Sequence, residues 1–401
     1  MYRRHAKRLH RGARAAAAIS AVTVAAMALT AFGGSSGSAV AVSRAHAAGA
    51  SSGVAAAKAR LAQLYRGIGF SQPDPSGPKP TPGKKVWIIS FQQDIPSSAT
   101  ATAGAVAAAK AMGWKPTVLD GKGSADTILG GIRQAIAAKA NVIALVFIDC
   151  PTVQAGLQEA HNAGITLVAD ESFDCSGVKK GGPTLFNYVT TYYDNLSYSN
   201  YYYNYGEEQA TWNIVATGGK AQTVVFDETD SYESIPLIAG YKKELSTCSG
   251  CKVAATVDIT GADYGPPLQS KAQEAFLKNP SANTVQVIGD GVITLGVGAA
   301  VEDSGRAGSF KIIGGEGSPA GLQLIRNNRG MNAAAGISFT WESYAMLEGA
   351  NRVLHHINPY GKSTGIGLQV VDSGHNLPAS GGFRPPINYV AAYQKMWGTG
   401  K

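Results

Sequence analysis

Five acidic residues stand at the ends of apolar runs in this 401-residue chain. Asn141 to Ser172 reads NVIALVFIDCPTVQAGLQEAHNAGITLVADES, and Ala282 to Gly317 reads ANTVQVIGDGVITLGVGAAVEDSGRAGSFKIIGGEG. In the first stretch Asp149 closes one run, and Asp170 with Glu171 closes the other. In the second, Asp290 and Glu316 hold the corresponding places. Continuous apolar runs of this length suit strands covered on both faces. Pro151 suits the first turn of an intervening helix, and Gly164 and Gly305 suit helix ends. Each stretch therefore reads as strand, helix, strand, with carboxylates just past the strand ends, the edge where open α/β sheets bind ligands. Carboxylates so placed can accept hydrogen bonds from hydroxyls, hold a cation, or run paired-acid hydrolysis. The near-equal spacing of the two stretches predicts a repeat, hence two similar lobes.

Catalytic and metal signatures do not accompany the acids. Beyond residue 53 the chain has no G-x-S-x-G, and it has no phosphate-binding Walker loop and no H-E-x-x-H. Gly315-x-Gly317-x-x-x-Gly321 follows a strand but lacks the partner acid of a dinucleotide turn. No cofactor and no metal site are expected. The four cysteines separate into Cys150 with Cys175, after neighbouring strands, and Cys248 with Cys251 in a turn. A bridge across the first pair would close a 25-residue segment, worth about 3.5 kcal/mol in the loop-entropy picture. For the second pair a local disulfide outweighs a redox or half-zinc site, because no second C-x-x-C or His pair lies near.

The formal charge of +8 invites a nucleic-acid reading that its distribution removes. Residues 1–47 hold seven of the 35 Lys+Arg and no acid, which leaves 28 against 27 Asp+Glu and a body near +1. Without a basic patch no nucleic-acid partner is expected. The basic start, an apolar Ala15 to Phe32 and Ala45-His46-Ala47 read as a signal peptide over 1–47. The chain is thus expected outside the cytoplasm, with no cysteine near the leader for lipid attachment. Residues 48–83 read as a loose, Pro-rich spacer, with a short helix available from Ala56 to Ile68. From Val86 onward strands alternate with helices, the pattern of a doubly wound parallel sheet. Eight tyrosines crowd residues 188–205. Most are expected in packing, with Tyr192 and Tyr193 facing a cleft.

VWIISFQQDIP at the first strand, the two stretches above, YDN at 193–195 and IIGGEGSPAGLQLI together resemble the periplasmic sugar-binding proteins of type 1, the group of the ribose- and galactose-binding proteins. The resemblance implies two doubly wound α/β lobes joined by three crossovers, with ligand between them. Lobe 1 would comprise 84–193 plus 339–366, and lobe 2 194–338 plus 367–401. It points to Phe91 as a ring stacked on the ligand, with Gln92 and Asp94 as polar partners, and to Asp149, Asp170, Glu171, Asp290, Glu316 and Trp341 as further contacts. No Arg follows Asp170-Glu171, and Gly289 stands where the family has Asn. Such an acid-rich, Arg-poor cleft suits hydroxyls or a cation and disfavours phosphate or carboxylate ligands. The implied function is capture of a sugar or polyol for an ABC-type permease by a monomer, without catalysis. A secreted ligand sensor is the rival, and a carbohydrate-active enzyme the weaker one.

Overall fold

The computed structural model describes residues 53–400. The expected leader, 1–47, lies outside the described residues.

Helix α1 spans residues 53–66. The first sheet is built from β1 (Lys85–Ser90), β2 (Lys115–Asp120), β3 (Val142–Val146), β4 (Thr166–Asp170) and β5 (Tyr188–Val189), in the order β2-β1-β3-β4-β5, all parallel. Helices α2 (Pro96–Ala111), α3 (Ala125–Ala137), α4 (Cys150–Asn162) and the short α5 (Cys175–Val178) connect them. All five residues of β3 and of β4 are buried, as strands covered on both faces require.

Helix α6 (Tyr198–Ala216) opens the second lobe. There β6 (Gln222–Glu228), α7 (Ser234–Leu245), β7 (Lys252–Ile259), α8 (Pro266–Lys278) and β8 (Thr284–Gln286) follow in turn. The helical turns α9 (Asp290–Val292) and α10 (Gly298–Asp303) lead to β9 (Ile313–Gly314), α11 (Pro319–Arg326) and β10 (Ala333–Gly336). Strands β7-β6-β8 form one ladder. β9 and β10 form a second with β11 (Gln369–Asp372), which runs antiparallel. The Lys311 N–H donates to the Asn283 carbonyl at 2.8 Å between the two ladders. The succession 7-6-8-9-10 repeats the 2-1-3-4-5 of the first lobe, and the two acid-bearing stretches are the third and fourth strands of each.

The asparagines that begin these stretches do the same job twice. Asn141 Oδ1 accepts the Lys85 N–H and Asn283 Oδ1 accepts the Gln222 N–H, each at 2.8 Å. Asn187 and Asn332 repeat the contact on Leu167 and Ile312. Each side chain satisfies a strand-end donor that the ladder leaves over.

The closing segment returns to lobe 1. Helix α12 (Phe339–Leu354) packs on α2 and β4, and α13 (Tyr389–Trp397) packs on α12 through Trp397 stacked on Tyr344. Residues 389–397, expected with lobe 2, therefore pack on lobe 1. Trp397 and Tyr393 are large aromatics that find their buried surface there.

The N-terminal segment is also not a loose spacer. Leu61 and Leu64 are buried, Ala57 packs with Ala210 and Ile214, and Arg60 pairs with Glu207, so α1 is a surface helix of lobe 2. Residues 67–72 then cross to lobe 1, where Arg352 meets Asp74 and the Trp114 indole N–H donates to the Thr81 carbonyl. This passage and residues 373–388 add two connections to the three crossovers. Ile68 and Leu368 bridge antiparallel within the hinge. Tyr193 N–H donates to the Ile366 carbonyl and Thr364 Oγ1 to the Thr191 carbonyl. Cys150–Cys175 and Cys248–Cys251 are both paired, with Cα separations of 5.0 and 5.3 Å.

Candidate functional site

The carboxyl ends of the two sheets meet at a junction lined by acids, and the backbone there is strained. Phe147 and Glu171 directly follow β3 and β4 with φ of 59° and 49°, and Glu316 follows β9 with φ of 64°. Non-glycine residues seldom occupy this region, and such outliers cluster where side chains must be aimed at a site. The cost is met by fully buried strands on one side and by hydrogen bonds on the other.

Glu171 is the best-supported acid. Oε1 accepts from the Tyr192 hydroxyl at 3.0 Å, and Oε2 accepts from Tyr198 at 3.4 Å and from Tyr202. The single Tyr198 proton is shared, its shorter contact being to Glu233 of lobe 2 at 2.8 Å, so one hydroxyl lies between acids of both lobes. Tyr198, Tyr202 and Tyr205 lie at i, i+4 and i+7 on α6, one face of a helix. Tyr205 extends the row to the far lobe, where its hydroxyl oxygen accepts the Glu316 N–H at 2.8 Å. The tyrosines thus form a stripe between the two acidic edges. Tyr193, expected in the cleft, instead accepts from Asn204 on the α6 side.

Asp149 is half-buried, and its Oδ1 accepts the Phe173 N–H at 2.7 Å. The Tyr232 backbone of the second lobe also faces it. Asp170 accepts from Ser343 Oγ of α12 at 3.0 Å and is fully buried. Asp290 holds the Gly-rich turn ahead of α11, accepting from Ser318 N–H at 2.7 Å and Oγ at 2.8 Å. The turn's glycines are used for room, since a side chain at Gly314 or Gly321 would run into the Asp290 carboxyl. Glu316 sits one residue inside this turn, close to Gly289.

Burial raises all of these carboxyls above their ordinary values. Asp149 is pushed to about 6 and Asp290 to about 7. Asp170 and Glu316 rise further, with neighbouring carboxylates adding to burial, and Glu171 rises by burial against its tyrosine donors. Three acids outside the expected set complete the cluster. Glu233 and Glu342 are driven well up by burial and by Glu171, and Glu228, bonded to the Tyr264 hydroxyl at 2.9 Å, is pushed to about 7. No lysine or arginine is among the main influences on any of the eight.

The structure separates four expected residues from this cluster. Phe91 packs against the α3–α4 side of lobe 1, with its ring beside Gly123 and Gln92 next to it. Asp94 is exposed. Trp341 is fully buried, stacked on Tyr389 at 4.9 Å, because it lies one helical step round α12 from Glu342. The aromatic faces at the junction are Phe147 against Phe339 at 5.3 Å and Phe173 against Tyr198 at 4.8 Å. Beside them a cavity of about 250 Å³ opens between Ser97 and Thr100 of lobe 1 and Glu316 to Pro319 of lobe 2, with Phe339 in its wall. In the sequence Glu233 stands in the polar run DETDSYE, which gives it no signal of its own. Glu342 adjoins Trp341, to which the resemblance pointed, and only the helical phase of α12 separates the two.

Two α/β lobes with this topology, closed on a polar junction at their strand ends, define a solute-binding protein of the two-lobed type. Residues 86–357 match the periplasmic binding protein domain, and the chain belongs to that family. No curated protein matches it. Solved structures share the fold. An ABC transporter periplasmic solute binding protein from Actinobacillus succinogenes 130z with bound D-allose superposes with a TM-score of 0.62 at 18% identity, over 73% of this chain and 98% of that one. One from Agrobacterium vitis with bound allitol gives 0.60 at 16%, over 72% and 95%. One from Mycobacterium smegmatis with bound glycerol gives 0.60 at 17%, over 76% and 100%. Among the described residues no helix is long and apolar enough to cross a membrane.

Proposed function

We propose that this protein captures a small hydroxyl-rich solute between its lobes, outside the cytoplasm, and delivers it to an ABC-type permease. The observation that carries the reading is the junction itself, where carboxylates from both lobes and the Phe147, Phe339, Phe173 and Tyr198 rings converge at the strand ends. Carboxylates that accept from adjacent hydroxyls, with rings on the apolar face, are the chemistry of polyol recognition. The bound allose, allitol and glycerol of the structural neighbours support the same class of solute. Micromolar capture needs about 8 kcal/mol, which several charge-assisted hydrogen bonds and a stacked ring supply after ordering costs. The basic leader, with Ala45-His46-Ala47 as its processing site, fits export, and the body acts as a monomer that binds without converting its ligand.

Thermal-shift and calorimetric screening over monosaccharides and polyols tests this. At least one solute should raise the melting temperature by mass action. Asp149→Ala should weaken that solute at least tenfold and leave the free protein folded. A panel with no hit, or a hit that is chemically converted, would remove the proposal.

A further inference from the structure

We propose that the captured solute carries a protonated amine beside its hydroxyls, and that the amine seats among the carboxylates of Glu171, Glu342 and Glu233. This rests on the reading of the junction as a solute site. The observation is Glu342, in the first turn of α12. It is fully buried, no N–H or hydroxyl donor of the described residues reaches either carboxylate oxygen, and the group within hydrogen-bond reach of it is another carboxyl, that of Glu171. Its nearest charged neighbours are Glu171, Asp170 and Glu233. Glu171 beside it accepts from Tyr192 and Tyr202 and shares the Tyr198 proton with Glu233, so the chain provides hydroxyl donors for one acid of the pair and none for the other. A buried carboxylate without donors is costly, and like charges nearby make it more so.

A neutral polyol would supply donors and leave the charges uncompensated. A protonated amine supplies up to three N–H donors and a positive charge at one atom. A single metal ion fits less well. Among the described residues, the one group of three possible ligand atoms within 4.8 Å is Cys150, Asp174 and Cys175, whose sulfurs are in the disulfide. The carboxylates of the junction are more spread, a span that an ammonium bridges through hydrogen bonds.

The groups facing this point agree in sign. From lobe 1 come Asp149, Asp170, Glu171 and Glu342, and from lobe 2 Glu228, Glu233, Asp290 and Glu316, with the hydroxyls of Tyr192, Tyr198 and Tyr202 between them. Arg384 lines the neighbouring cavity, with its guanidinium beside Gly381 of its own loop. These carboxyls are held above their ordinary range by burial, so seating an ammonium would ionise them and release protons.

Calorimetry on the full chain at pH 7.5 tests this with three matched pairs: D-glucosamine and D-glucose, D-galactosamine and D-galactose, 1-amino-1-deoxysorbitol and sorbitol. In at least one pair the amine should bind at least tenfold tighter. Its heat should change between buffers of different ionisation enthalpy, showing proton release that the neutral partner lacks. Glu342→Gln should weaken the amine at least tenfold and reduce the protons released. Glu208→Gln, at a buried acid of α6 beside Arg60, should change its affinity less than twofold. Binding of a neutral solute from the wider panel with none of the amines overturns the inference and leaves the receptor reading intact, and so does amine affinity unchanged in Glu342→Gln. Failure of every compound, neutral and amine, overturns both.

Discussion

A carboxylate buried at a strand end needs donors, and the two lobes find them differently. In lobe 1 Glu171 takes them from tyrosine side chains. In lobe 2 Asp290 takes them from the Ser318 N–H and Oγ of its own turn. Asp290 therefore positions the Glu316 loop. Asp290→Ala should lower unfolding free energy by about 2–3 kcal/mol, the range for hydrogen bonds to a charged group whose donors are left buried. Asp94→Ala, at an exposed carboxylate, should change it by less than about 0.5 kcal/mol. Urea unfolding of both variants checks the contrast, and equal effects would assign Asp290 no structural role.

Helix α6 is the element on which the junction depends. It begins at a crossover, and its tyrosine stripe reaches Glu171 in one lobe and the Glu316 backbone in the other. Helix α1 lies over the same lobe, and its strand-like continuation joins the hinge through Ile68 and Leu368. Its attachment is apolar: Leu64 is fully buried. Leu64→Ala should cost about 2–4 kcal/mol through the cavity it leaves. A loose N-terminal spacer would tolerate the change, so an unaltered urea midpoint would contradict the packing described here.

At the scale of the whole molecule the buried acids set the pH response. Their carboxyls titrate higher in the folded chain than unfolded: about 6 for Asp149, about 7 for Asp290, Glu228 and Glu348, and about 8 for Glu208. The folded state then binds more protons than the unfolded state between about pH 4 and 8, so stability falls as pH rises through that window. Below it, Asp74, Asp263 and Asp372, whose values are lowered by hydrogen bonds, lose stability as pH falls. The urea midpoint should accordingly be highest near pH 5 and fall toward pH 8. A midpoint that is flat or rises over that interval would show that the acids are not buried as described.

The sequence by itself determined the two-lobed α/β architecture, because uninterrupted runs such as VIALV and TLVAD suit only strands covered on both faces. It also placed Asp149, Asp170, Glu171, Asp290 and Glu316 at the carboxyl edge, because strand ends are where such runs stop. The disulfide partners were legible for the same reason, since Cys150 and Cys175 follow neighbouring strands. What only the tertiary structure decided was direction. Phe91 and Trp341 carry the right side chains, yet the pleat and the helical phase turn them into lobe 1. Glu233 and Glu342 carry no local signal, and become site residues only because α7 and α12 bring their N-terminal ends to the same junction. The burial of α1 and α13 was equally out of reach, since a short helix shows its partner surface only when the distant segment that covers it is in place.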